Sequence, residues 1–272
     1  MKIEKQLNSS HPRLLLFFAG WSASPESFTG LKAENGTDIM LCYDYRDMTF
    51  HEDLSSYKEI HLIAWSMGVR MAELALAGKY ALTTATAVNG TPRPIDDNFG
   101  IPENIFRGTL DNLTAEGMKR FNRRMCGSRD ILAQYEKFPA RPLEEVKDEL
   151  QHIYNHCNGQ SMTNADDTTS IQWTRAIISS DDHIFPAANQ RNYWNGRCPV
   201  TEITAPHYPF YLWKQWNELS PASAARWIVT TCMPMHSNKS AGNSPVYYRV
   251  TPTSISSVPL KSVAERAVSP VF

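Results

Sequence analysis

Residues 59–76 constrain this chain most. They read Glu-Ile-His-Leu-Ile-Ala-Trp-Ser-Met-Gly-Val-Arg-Met-Ala-Glu-Leu-Ala-Leu. Glu59–Ala64 is a short apolar run of strand length, and Met67–Leu76 is apolar or small with few charges, as a buried helix requires. The strand must therefore hand over to the helix within a few residues. Ser66 stands at that junction, with small residues, Ala64 and Gly68, two positions away on each side. A serine on so sharp a turn projects clear of the sheet's carboxyl edge as a nucleophile, and crowding at the turn demands small neighbours. The pattern is A-x-S-x-G where glycine more often comes first, a departure of one methyl group. An ordinary helix N-cap also favours serine. What points to a nucleophile is the placement between an apolar strand and a small-residue helix.

The neighbouring sequence repeats the strand theme. Arg13–Phe18, Thr37–Tyr43 and Thr84–Val88 are further short apolar runs ending in turn-rich residues. With connections long enough for helices, they predict an α/β fold with a mostly parallel sheet covered on both faces. Between Pro92 and about Thr169 the strand signal vanishes, and Leu110–Met125 and Leu143–Tyr154 read as helices separated by Gly127 and Pro139–Pro142. This stretch, about residues 93–169, is expected to be a helical cap inserted over the sheet's edge. Strand signals return at Trp173–Ser179 and Val200–Thr204, followed by an expected helix from about Pro209 to Thr231. The predicted hydrolase-type domain spans residues 1–232. Residues 233–272, dominated by Ser, Thr, Pro and Val, read as a flexible tail.

A serine nucleophile needs a base, an orienting acid and donors for the oxyanion. The helix after Ser66 turns its positive end toward the elbow, so the backbone N–H of Met67 is the first expected donor. The loop after the first core strand, Phe18-Ala19-Gly20-Trp21-Ser22, offers the N–H of Trp21 as the second. In a fold of this kind the order along the chain is Ser, acid, His. Ile177–Pro186 places Asp181 and Asp182 at the end of an apolar strand, and a D-x-[ILV]-x-P pattern selects Asp182; spacing alone leaves Asp181 as the alternative. His207 follows the last strand, where a base must lie to reach a Ser at the same sheet edge. His61 sits inside a strand. His152 and His156 are four residues apart on a helix, but they lack the glutamate of the H-E-x-x-H zinc motif. His183 adjoins the acid as a fallback base. No metal site or cofactor emerges.

Composition sets limits. The 272 residues carry a formal net charge of −1, which gives no support to nucleic-acid binding. No apolar run approaches the roughly 20 residues needed to span a bilayer. The N-terminus lacks the apolar stretch of a secretory signal. Five scattered cysteines without a C-x-x-C pair suit reduced thiols. Together these point to a cytoplasmic protein.

Five motifs in order, Ala19-Gly20-Trp21, Ala64–Gly68, Asn89-Gly90-Thr91-Pro92 with Pro94-Ile95-Asp96, Phe185–Gln190 and Ala205–Phe210, resemble the BioG type of pimeloyl-[acyl-carrier protein] methyl ester esterase. The resemblance covers about residues 10–230. It implies an α/β-hydrolase fold with a Ser66–His207–Asp182 triad and oxyanion amides from Trp21 and Met67. It also implies hydrolysis of the methyl ester of pimeloyl-acyl carrier protein, a step in biotin synthesis. One feature points independently to an acidic carrier-protein partner. Gly117–Arg129 carries five basic residues, Lys119, Arg120, Arg123, Arg124 and Arg129, and no acidic one. A local basic patch on a near-neutral protein can steer docking, although such a run can also be a solvated helix face. The residues by themselves reach an ester or thioester hydrolase. A general carboxylesterase or acyl thioesterase, or a non-catalytic carrier-binding module on the same fold, are the alternatives.

Overall fold

The computed structural model describes residues 1–7, 12–76, 78–158, 171–220 and 248–250. Its centre is β2 (Arg13–Phe18), flanked by β3 (Thr37–Tyr43) and β4 (Glu59–Trp65), both parallel to it. From β2 the chain runs outward to β3, then crosses back to β4 on the other side. The strands β5 (Thr84–Val88), β6 (Arg175–Ser179) and β7 (Val200–Ile203) continue the parallel sheet. The order reverses between β2 and β4, and the carboxyl ends of strands at such a switch point form a natural crevice. Leu14, Leu16, Phe17 and Phe18 of β2 are fully buried, as expected of a strand covered on both faces. This mostly parallel, helix-covered sheet is the expected α/β-hydrolase architecture.

Two strands lie outside the expectation. β1 (Lys2–Gln6) pairs antiparallel with β3 at one edge. At the other edge β8 (Tyr248–Val250) pairs parallel with β7, so part of the expected tail extends the sheet. The rest of that tail lies outside the described residues.

The helix predicted after the elbow is α1 (Gly68–Leu76). The stretch expected to form a cap, between β5 and β6, holds α2 (Glu103–Asp111), α3 (Ala115–Cys126), α4 (Arg129–Tyr135) and α5 (Leu143–Asn158). The single helix expected over 110–125 is two. Asn112 ends α2, and Thr114 restarts the chain as an N-cap, its side chain accepting from the Gly117 N–H at 3.1 Å. Gly127, with φ +69°, stops α3, and Ser128 caps α4. After β6 comes α6 (Ala187–Trp194).

The helix expected from Pro209 is also corrected. Only the short 3-10 turns Phe210–Leu212 and Trp216–Leu219 form over 209–220, and residues 221–231 lie outside the described residues. The cause is backbone pairing elsewhere. Lys32 N–H donates to Lys214 O at 2.9 Å and Trp216 N–H to Lys32 O at 3.1 Å, which holds this stretch extended between the two turns.

Candidate active site

Ser66 occupies the two-residue turn between β4 and α1 with φ +56°, a left-handed conformation costly for a side-chain-bearing residue. Its surroundings leave no room for larger neighbours. A Cβ on Gly68 would lie 2.3 Å from the Phe18 carbonyl oxygen, and one on Gly90 would lie 2.4 Å from the Ser66 carbonyl oxygen. Ala64, by contrast, is accommodated: it is fully buried and pairs in register with Phe18 and small Ala87.

The structure brings the three predicted side chains together. His207 Nε2 lies 2.9 Å from Ser66 Oγ, and His207 Nδ1 lies 2.8 Å from Asp182 Oδ2. All three are buried. A carboxylate only accepts, so Nδ1 carries the hydrogen and Nε2 is left to accept from the Ser66 hydroxyl. Asp182 rather than Asp181 faces the histidine. Its Oδ1 accepts the N–H groups of Ile184 (2.9 Å) and Phe185 (2.8 Å), whereas Asp181 is exposed. His183, the fallback base, is exposed on the chamber's wall. His61 bonds Thr84 inside the sheet, while His152 and His156 point their Nδ1 atoms at helix carbonyls.

Several supporting groups had no assigned role in the sequence. Gln190 Nε2 donates to Asp182 Oδ2 at 3.1 Å and to Phe185 O at 2.8 Å. Asn89, itself at φ +46°, donates through Nδ2 to the His207 carbonyl at 2.9 Å and accepts the Ser179 N–H at 2.7 Å. The Trp65 indole also donates to the His207 carbonyl, at 2.9 Å. His207 is thereby held through its own backbone carbonyl. The one available signal was position, since Asn89 follows β5 at the same sheet edge as Ser66.

The predicted oxyanion donors line the same chamber as Ser66. Among the described residues, the N–H groups of Trp21 and Met67 donate to no other group. A Cβ on Gly20 would meet Ser66 Cβ at 3.1 Å, which shows how closely this loop approaches the serine. The chamber is small, about 50 Å³, with apolar walls that include Phe121, Met125 and Leu150. It adjoins a wider cleft of about 430 Å³ between α2 and α3, and the two share Ile105, Thr109, Phe121, Arg124 and His183. Lys119, Arg120, Arg123, Arg124 and Arg129 are all exposed; Arg120 and Arg124 border the cleft. No group of three His, Cys, Asp or Glu side chains that could hold a metal occurs among the described residues.

A model of the family described as pimeloyl-ACP methyl esterase BioG matches residues 1–219. The chain belongs to the BioG family. Membership makes it a carboxylic ester hydrolase. An uncharacterized protein of Haemophilus influenzae is 44% identical over 207 residues, covering 76% of this chain and 93% of its own. A malonyl-[acyl-carrier protein] O-methyltransferase of Bacteroides fragilis is 39% identical over 219 residues; the match covers 79% of this chain but 43% of that longer protein. The crystal structure of selenomethionine BioG from H. influenzae superposes with a TM-score of 0.75 at 42% identity, covering 80% of this chain and 99% of that one. A lipase-esterase related protein of Clostridium acetobutylicum shares only the fold, with a TM-score of 0.55 at 14% identity and coverage of 82% and 96%. No helix among the described residues is long and apolar enough to cross a membrane.

Proposed function

We propose that this BioG-family chain hydrolyses the methyl ester of pimeloyl-[acyl-carrier protein], releasing pimeloyl-carrier protein and methanol in biotin synthesis. The observation that carries the reading is the hydrogen-bonded line Ser66–His207–Asp182 at the foot of a small apolar chamber. Ser66 Oγ attacks the ester carbonyl while His207 Nε2 takes its proton, and Asp182 stabilises the resulting imidazolium. The N–H groups of Trp21 and Met67 receive the developing oxyanion. Collapse expels methanol, with the proton returned from His207. Water, deprotonated by His207, then attacks the acyl-Ser66 ester, and the second collapse frees the carboxylate and restores the serine.

The chamber suits a small ester head, and the cleft beyond it suits a long acyl chain arriving on a carrier. Lys119, Arg120, Arg123, Arg124 and Arg129 would meet the acidic carrier protein. The test compares kcat/KM for the carrier-linked methyl ester with that for free methyl pimelate. A preference for the carrier-linked ester of at least about tenfold, with methanol released stoichiometrically, supports the proposal. Equal values would reduce the enzyme to a general carboxylesterase, and release of a free thiol would make it a thioesterase.

A further inference from the structure

The cap carries a buried ion pair that the triad chemistry does not use. Glu149 of α5 is fully buried. Its Oε2 accepts the Ser22 N–H at 3.3 Å and its Oε1 accepts the Tyr45 N–H at 3.1 Å. Arg141 lies 2.7 Å from the same carboxylate, and its other terminal nitrogen lies 3.0 Å from Asp44. One helical turn before Glu149, the Val146 carbonyl accepts the Trp21 indole N–H at 2.8 Å. The far end of the loop is held by the Tyr45 hydroxyl, which donates to Ala19 O at 2.7 Å.

These contacts converge on one short loop. Ser22 has φ +67°, a conformation that must be imposed by its surroundings. The Ser22 N–H belongs to the peptide that joins it to Trp21, so the acceptor on that N–H fixes the orientation of the plane next to the Trp21 amide. The indole contact fixes the same residue through its side chain. Burying a carboxylate and a guanidinium is costly, and an apolar pair of the same volume would often be as stable or more so. Their place here calls for a reason beyond stability.

We infer that Glu149, neutralised by Arg141, is a positioning residue that reaches down from the cap and sets the oxyanion loop. This rests on the reading of Trp21 N–H as an oxyanion donor. A glutamine at 149 keeps the shape but presents one acceptor oxygen to two N–H groups, so one of them loses its partner.

Glu149→Gln is expected to lower kcat for a p-nitrophenyl ester about 10- to 100-fold, less than the ~10²–10³ for losing an oxyanion donor outright. KM should stay within about twofold, since the ester's binding walls are untouched. The diagnostic readout is the preference for an oxoester over the matching thionoester, whose sulfur is a weaker acceptor and gains less from the hole. That preference should fall with kcat. Should Glu149→Gln fail to fold, Trp21→Phe removes the indole hydrogen bond to Val146 and part of the ring's packing on Phe121, and its oxoester preference should show the same fall. A folded variant with unchanged kcat, or with reduced kcat and an undiminished oxoester preference, would overturn the inference. A wild-type enzyme with no oxoester preference would sink the Trp21–Met67 reading itself.

Discussion

Ser66 is held where its hydroxyl can react at a backbone cost of about 1–3 kcal/mol, and two glycines make that possible. Gly68→Ala would drive a methyl group into the Phe18 carbonyl. The variant is expected to melt several degrees lower by calorimetry and to lose most activity, because relief of the clash moves the elbow. Ser66→Ala should keep substrate binding and lose roughly 10⁴- to 10⁶-fold in kcat. A serine-directed phosphonate that labels any other residue would move the nucleophile. Asp182→Asn should cost about 10⁴-fold by spoiling the His207 tautomer, while exposed Asp181→Asn should stay within about twofold; equal losses would defeat the assignment. Ser66, Asp182 and His207 were legible because each ends or follows a recognisable strand. Gln190, Asn89 and Glu149 were not. Glu149 and Ser22 are 127 residues apart, and a bond across that separation leaves no local pattern.

At the scale of elements, legibility followed burial. Strands covered on both faces announced themselves as apolar runs. β1, Lys-Ile-Glu-Lys-Gln, lies at an edge with four of its five residues exposed, and its composition reads as surface. The seven residues of α4 bury no side chain and gave no apolar period. The α2–α3 break was hidden because Thr114 caps a helix in the middle of an otherwise helical pattern. Helix α3 carries the testable electrostatics. Charge reversal at Arg120, Arg123 and Arg124 should raise KM for the carrier-linked ester and leave a small free ester nearly untouched. Rim charges act on association and are screened over roughly 8 Å at physiological salt. Added salt should therefore slow the wild type on the carrier-linked substrate and barely affect the triple variant; an identical salt response in both would return the patch to a solvated face.

The whole molecule is closed by charge where cap meets sheet. Asp44, whose side chain is 2% exposed, meets Lys2 at 2.9 Å, Arg46 at 2.7 Å and Arg141 at 3.0 Å. Burial pushes its carboxyl up, but hydrogen bonds from Arg46 and Lys2 and the charge of Arg141 outweigh it and hold the group well below its ordinary 3.8. The unfolded chain thus takes up the proton first. Stabilisation from Asp44 is complete above the ordinary value and is lost as pH falls toward the lower folded one. The stability gap between wild type and Asp44→Asn, measured by urea unfolding, should hold steady from neutral pH down to about 4 and shrink below it. A gap unchanged under strong acid would show that charge is not its source. Deleting residues after Thr231 tests the tail: the family match ends at 219, so activity and a cooperative thermal transition should be retained, with a modest drop in melting temperature from loss of the β7–β8 ladder. A lost thermal transition would instead give β8 a structural duty. The Arg141–Glu149 pair has a last, mechanical consequence. Arg141 precedes α5 by two residues and Glu149 sits on it, so the pair moves with that helix as a unit. Lifting α5 off the sheet would break the Arg141–Asp44 contact and take the acceptor from the Ser22 and Tyr45 N–H groups, each lost bond costing about 1 kcal/mol. Helix α5 therefore cannot lift without also releasing the loop that Glu149 and Val146 hold by hydrogen bonds to Ser22 and Trp21.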